Sequence, residues 1–448
     1  MKKRFPKPFS RYLLFSISLL PLVVLGIEST QDSDVPSEFT SANVSDPVSQ
    51  LMAKMRSGTI TLKYESDQGY LKSLLKELDI SPTSQILVFS KTSLQSHYIS
   101  PSTPRAVYFN DRAYVGWVPG APNIEIAAVD PNVGPTFYIL DNRPSVAPVP
   151  LRQTIECFQC HYSPLTGQVP GLMARSVYTG PEGGPRLANG SFRTTPASPM
   201  KERWGGWYVT GQHGGQRHMG NVTVTGTGAS ITIDPEKGAN IGDLSGFFDT
   251  KNYLSPHSDI VALLIAEQQM TIQNLITKAG FLTRRALKGS ADLVKFGFTE
   301  EHVAKGIHDQ VQNACEPLVE ALLGTDEPAL TAPVSGTSGF ERFYANAAPA
   351  DKAGRRLSEL DLKTRLLKYP CSPMIYSVSF ENLPEQAKSQ VMFRIREVLT
   401  GKDQTKPFSH ITSVDRKAIL EILSDTLKAW ALQRNPGINP SSISRQKW

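Results

Sequence analysis

The sequence predicts an α+β fold on three observations. Short apolar and alternating segments crowd residues 85–140, a glycine-rich stretch poor in helix signals fills 151–250, and from Ser255 onward apolar residues recur at helical spacing. The expected architecture is a small N-terminal α+β domain over 51–148, a glycine-rich segment over 149–250 and a helical domain over 251–448. With 448 residues and 40% hydrophobic composition, the chain is long enough for two or three domains with their own cores.

The N-terminus has the form of a secretory signal. Lys2, Lys3, Arg4, Lys7 and Arg11 precede an apolar run from Tyr12 to Gly26, which ends in the compact residues Val24-Leu25-Gly26. At 15 residues, broken by Pro21, this run falls short of the roughly 20 needed to span a bilayer. Residues 1–26 are therefore expected to be removed, leaving a mature chain without a transmembrane segment in the periplasm. Their loss takes five basic residues and no acidic one, so the net charge falls from +6 to +1. No Lys/Arg block remains to suggest nucleic-acid binding.

Residues 27–50 are rich in Ser, Asp, Thr and Pro without apolar periodicity, and are expected as a flexible linker. A short helix is predicted at 51–55, a strand at 59–64 and a helix at 70–78. Strands follow at 85–90, 106–109, 113–118, 124–129 and 136–140, with Asn110-Asp111 placed to turn a hairpin. Pro144, Pro148 and Pro150 stiffen the connector at 143–150.

In the middle segment, Gly226-Thr227-Gly228 precedes a strand-like run, 231–233, rather than a helix, which argues against a dinucleotide loop. Beyond it, helices are expected from Ser255-Pro256 to Leu275, from Thr299 to Leu322 with a kink at Pro317, from Asn382 and Pro384 to Gly401, and from Thr412 and Asp415 through Trp430.

The most informative motif is Cys157-Phe158-Gln159-Cys160-His161. A C-x-x-C-H run attaches a c-type haem: two thiols add to the haem vinyl groups and the adjoining histidine supplies an axial nitrogen to the iron. With 4 Cys and 8 His in the chain, chance produces the pattern on the order of once in a thousand such sequences. A thioredoxin-like site needs a long helix after a buried strand, and a structural zinc needs four ligands. The prolines at 144–150 disfavour the first. The other cysteines, Cys315 and Cys371, lie too far along the chain for the second. The expected cofactor is one covalent haem c on Cys157 and Cys160, with His161 as metal ligand. Cys315 and Cys371 are a leftover even pair in an exported protein, and a disulfide between them is expected to contribute about 4 kcal/mol in the chain-entropy model.

The sixth iron position decides between electron carriage and chemistry at the metal. Its candidates are Met219, His218 and His213, on the loop Gly211–Gly220, or an open site. Met173 reads as pocket packing. Arg175, Arg203 and Arg217 could hold haem propionates through their guanidinium forks. His257, His302 and His308 have no ligand-spaced partner.

Cys157-Phe158-Gln159-Cys160-His161, followed by Pro164, Gly167, Pro170 and Gly171, resembles the c-type cytochromes over about a quarter of the chain. That resemblance implies His161 as the proximal ligand and a methionine several dozen residues downstream, here Met219, on the distal side. It departs from the family where prolines shorten the preceding helix and where the segment after Met219 is β-like. Arg203-Trp204-Gly205-Gly206-Trp207-Tyr208 and Arg365–Ser372 look similar to segments of large exported bacterial haem-c proteins without an assigned activity. The implied role is one-electron transfer with a redox partner protein. The alternatives are a haem c-dependent peroxidase or dehydrogenase, and a haem-based sensor or docking subunit. No second C-x-x-C-H, H-E-x-x-H or distal acid–base pair is visible in the sequence.

Overall fold

Among the described residues there are nine strands: β1 (Ile86–Val88), β2 (Arg105–Phe109), β3 (Ala113–Trp117), β4 (Asn123–Asp130), β5 (Gly134–Asp141), β6 (Leu151–Gln153), β7 (Ala174–Val177), β8 (Ser191–Thr194) and β9 (Trp207–Tyr208). They belong to a computed structural model that describes residues 35–226, 228–428 and 430. The expected signal peptide, 1–26, lies outside the described residues.

Seven strands form one antiparallel sheet in the order β6-β5-β4-β3-β2-β1-β9, and β7 pairs with β8 separately. The β2–β3 hairpin turns at the expected place, because Asn110 Oδ1 accepts from the amides of Arg112 and Ala113. The sheet also corrects the expected boundary at 148/149: β6 and β9, both from the glycine-rich segment, form its two edges.

Alternation sorts the sheet residues onto two faces. Leu87, Tyr108, Val115, Trp117, Ile126, Tyr138, Leu140 and Tyr208 point one way and are all buried. They pack against Leu51, Leu71, Leu74 and Leu75 and against Leu244, Phe248 and Tyr253. Ile86, Val88, Arg105, Val107, Tyr114, Gly116, Glu125, Ala127, Phe137 and Trp207 share the other face, as the register requires.

The helices are α1 (Ser37–Thr40), α2 (Pro47–Arg56), α3 (Leu71–Glu77), α4 (Phe158–His161), α5 (Ile260–Lys295), α6 (Glu300–Leu322), α7 (Phe340–Tyr344), α8 (Val378–Glu381), α9 (Glu385–Leu399) and α10 (Ser413–Thr426). The last two expected helices begin where predicted, and α10 carries the Thr412/Asp415 capping box. Thr299 caps α6, which continues through Pro317 to Leu322. Helix α5 runs 36 residues, well past the expected end at Leu275. Helices α5, α6, α9 and α10 share an apolar cluster that includes Ile276, Val311, Leu318, Val391 and Ile419. No helix among the described residues is long and apolar enough to cross a membrane.

Three expectations need correction. From Val35 the expected linker 27–50 is packed: Phe39 is buried, and the buried Asp46 caps α2 while accepting from Thr136 Oγ1 and Tyr138 OH on β5. Residues 59–64 form no strand, although Leu62 is buried against the same core as the sheet. Cys315 and Cys371 are free thiols, buried in the helical core rather than joined. Burial pushes both thiols up to about 12, and Cys315 Sγ lies 3.7 Å from the Ala387 carbonyl.

Candidate functional site

Helix α4 is a single turn that begins at Cys157, whose carbonyl accepts from the amides of Cys160 and His161. That turn sends Phe158 into the core against Phe137 and leaves Cys157, Cys160 and His161 on the wall of one cavity. The cavity measures about 330 Å³ and is open to solvent. Its floor is the second face of the sheet, and Leu172, Met173 and Arg175 with Met270 of α5 complete the walls.

His161 is held at both ends. Its amide-side neighbour Gly171 donates to the His161 carbonyl, and Gly171 O in turn lies 2.8 Å from His161 Nδ1. The carbonyl can only accept, so Nδ1 carries the proton and Nε2 keeps a free lone pair. The ring rests 4.6 Å from that of Phe137. Burial lowers the imidazole below its ordinary range, which favours the neutral form that binds metals. Burial, with Glu125 and Glu156 nearby, pushes the Cys157 thiol up to about 11. A thiol so disposed lacks the enhanced acidity of a dithiol redox centre.

Two further residues face the cavity from the floor. Arg105 and Glu125 form an ion pair at 2.6 Å across Gly116, yet Arg105 Nε and Glu125 Oε1 are buried without a hydrogen-bond partner. A Cβ on Gly116 would fall 2.2 Å from Arg105 Nη2, so only glycine lets the guanidinium lie flat over the strand. An apolar-walled cavity with a free imidazole nitrogen, two thiols on one turn and an unsatisfied guanidinium Nε on its floor fits a planar group carrying carboxylates, while Glu125 Oε1 can meet only a donor. Arg105 and Arg175 would receive those carboxylates.

The expected distal ligand does not reach this place. Met219 lies off the cavity wall, 4% exposed, with Ser176 Oγ 3.6 Å from its sulfur. The reason is local: the Met219 amide donates to the Arg203 carbonyl, and this tie turns the side chain into the core beside Gly205. His213 uses both ring nitrogens, on Gln216 O and on the Asn240 amide. His218 accepts at Nδ1 from the Gly220 amide, its Nε2 is buried without a hydrogen-bond partner, and the residue does not line this cavity.

The thioethers that do line the cavity are Met173 and Met270. Met173 reaches it because the chain doubles back at Gly171. Met270 reaches it from a helix whose periodicity gives a buried face but not what that face meets. Arg203 pairs with Glu267, and Arg217 with Glu236, away from the thiols. Arg105 and Glu125 alternate correctly in their strands, and a charged residue at an inward position was the signal that could have found them. No family model, curated protein or solved structure matches the chain.

Proposed function

We propose that this is an exported monohaem c-type cytochrome that transfers single electrons in the periplasm to and from a redox partner protein. The observation that carries the reading is the convergence of Cys157, Cys160 and an unshared His161 Nε2 on one apolar cavity. Haem c would supply the reversible ferric–ferrous change there. The chain's own part is to hold the group by two thioethers and one imidazole and to fix that imidazole through Gly171 O. It also excludes water with Phe137, Leu172 and Trp207. Met173 or Met270 would offer the sixth ligand.

The test is haem staining after denaturing electrophoresis of protein made with haem-attachment machinery. Wild type should keep its stain through acid-acetone extraction, and Cys157→Ala/Cys160→Ala should lose it entirely. Stain that survives in the double variant, or is absent from wild type, defeats the reading.

One observation favours a second reading, a haem c-dependent oxidoreductase: the Arg105–Glu125 pair gives the cavity a carboxylate that can accept a proton and a fixed cationic donor beside the motif. Spin state separates the two. A low-spin ferric protein that becomes high-spin on Met173→Ala or Met270→Ala supports the carrier. A wild type already high-spin and fast with peroxide supports the enzyme.

A further inference from the structure

A second cavity, of about 360 Å³, opens between the glycine-rich segment and the helical half. It shares no lining residue with the cavity beside Cys157. Its walls are apolar where Met200, Leu264, Leu330 and Leu366 meet, and one carboxylate, Glu327, faces into it.

Glu327 is oriented by a fixed chain of hydrogen bonds. Ser372 Oγ donates to Gln268 Oε1 at 3.0 Å, which leaves the Gln268 amide nitrogen to donate to Glu327 Oε1 at 3.2 Å. Glu327 Oε2 has no hydrogen-bond partner, and the carboxylate no ion pair, among the described residues. The cations nearby do not answer it. Arg203 gives its guanidinium to the buried Glu267 and to the carbonyls of Pro196 and Ser198. Arg217 is taken by Glu236 at the rim, and Lys201 is exposed there without an ion pair among the described residues. His410 Nε2 donates to the Leu323 carbonyl.

We propose that this cavity binds a small primary ammonium compound with a short apolar body, its ammonium on Glu327 and its body against Leu264, Leu330 and Leu366. Glu327 is half-buried, and a carboxylate set among apolar side chains with one oxygen that meets no protein donor carries a cost that a cation would offset. Consistent with that cost, burial raises Glu327 above the usual carboxylate range even with Arg203 and His410 opposing the shift. The apolar walls favour an amine that carries a hydrocarbon group over a bare cation. The inference is independent of the haem reading.

Calorimetric titration of the full chain tests it, with benzylamine as probe and benzyl alcohol and phenylacetate as neutral and anionic comparators of the same shape. Benzylamine should bind at least tenfold more tightly than either. Glu327→Gln should bring it down to the level of the alcohol, with an unchanged thermal midpoint. Ala329→Trp, on an exposed lining residue, should abolish binding of both. Benzylamine binding that survives either substitution, equal binding of the alcohol or phenylacetate, or no benzylamine binding to folded wild type overturns the proposal.

Discussion

The two faces of the seven-stranded sheet are built from the same alternation and end differently. On one, Tyr108, Val115, Trp117 and Tyr138 meet helices α2 and α3 and the 244–253 segment, and the layer closes. On the other, Arg105, Val107, Gly116 and Glu125 face a cavity. The closed face uses aromatic bulk to fill space. The open face uses a glycine and an ion pair to keep space.

The sharpest way to break this contrast is truncation on either side. Trp117→Ala, at 1% exposure, should destabilise the haem-free chain by about 3–5 kcal/mol through the cavity it leaves. Val107→Ala lies on the open face, half-buried at the edge of an apolar cluster, and should cost about 1 kcal/mol. Urea denaturation followed by circular dichroism measures both. Equal costs would mean that the two faces are not distinct.

Features carried by neighbouring residues were legible in the sequence. The Thr299 and Thr412 caps, the Asn110 turn and the alternation of strands β2 to β5 are each carried by residues within a few positions of one another. What was missed depends on distant partners. Asp46 reads as part of a polar, unstructured run until Thr136 and Tyr138, some 90 residues on, are seen to donate to it. Edge strands β6 and β9, of three and two residues, are too short to show a period. The C-x-x-C-H turn was plain, but its surroundings were not. Met219 matches the expected spacing and points into the core, while Met173 and Met270 sit on the cavity. Spacing limits reach and leaves direction to the backbone.

The histidines repeat the contrast between an open and a closed site. His161 turns Nε2 toward a cavity. His218 is 2% exposed, wedged against Trp204 and His213, and burial lowers it to about 3. Because the folded value lies below the unfolded one, the unfolded chain takes up the proton first as pH falls, so stability is lost on acidification below about 6.5. Between pH 6 and pH 4 the loss from this group should be about 2.5 kcal/mol. His218→Asn keeps an acceptor near the Gly220 amide and removes the titration. Its denaturation free energy should therefore fall less than that of wild type over the same interval. A parallel decline would show that His218 is not the closed histidine described.

The smallest effect concerns the ion pair that keeps the floor open. Glu125→Gln preserves the shape of the side chain and removes its charge. Arg105 is 23% and Glu125 15% exposed, so the pair is partly screened, and the haem-free chain should lose about 1 kcal/mol. For the haem proposed here the consequence would be electrostatic rather than structural. A ferric centre carries one more positive charge than a ferrous one, so removing a neighbouring carboxylate destabilises the oxidised form and should move the reduction potential upward. Arg105→Gln removes the opposite charge and should move it downward by a comparable amount. Val107→Ala, on the same floor, should leave it unchanged. Potentiometric titration of the three variants tells a floor that only keeps space from one that also sets the charge seen by the cofactor. A shared direction for the two charge variants would remove the pair from that role.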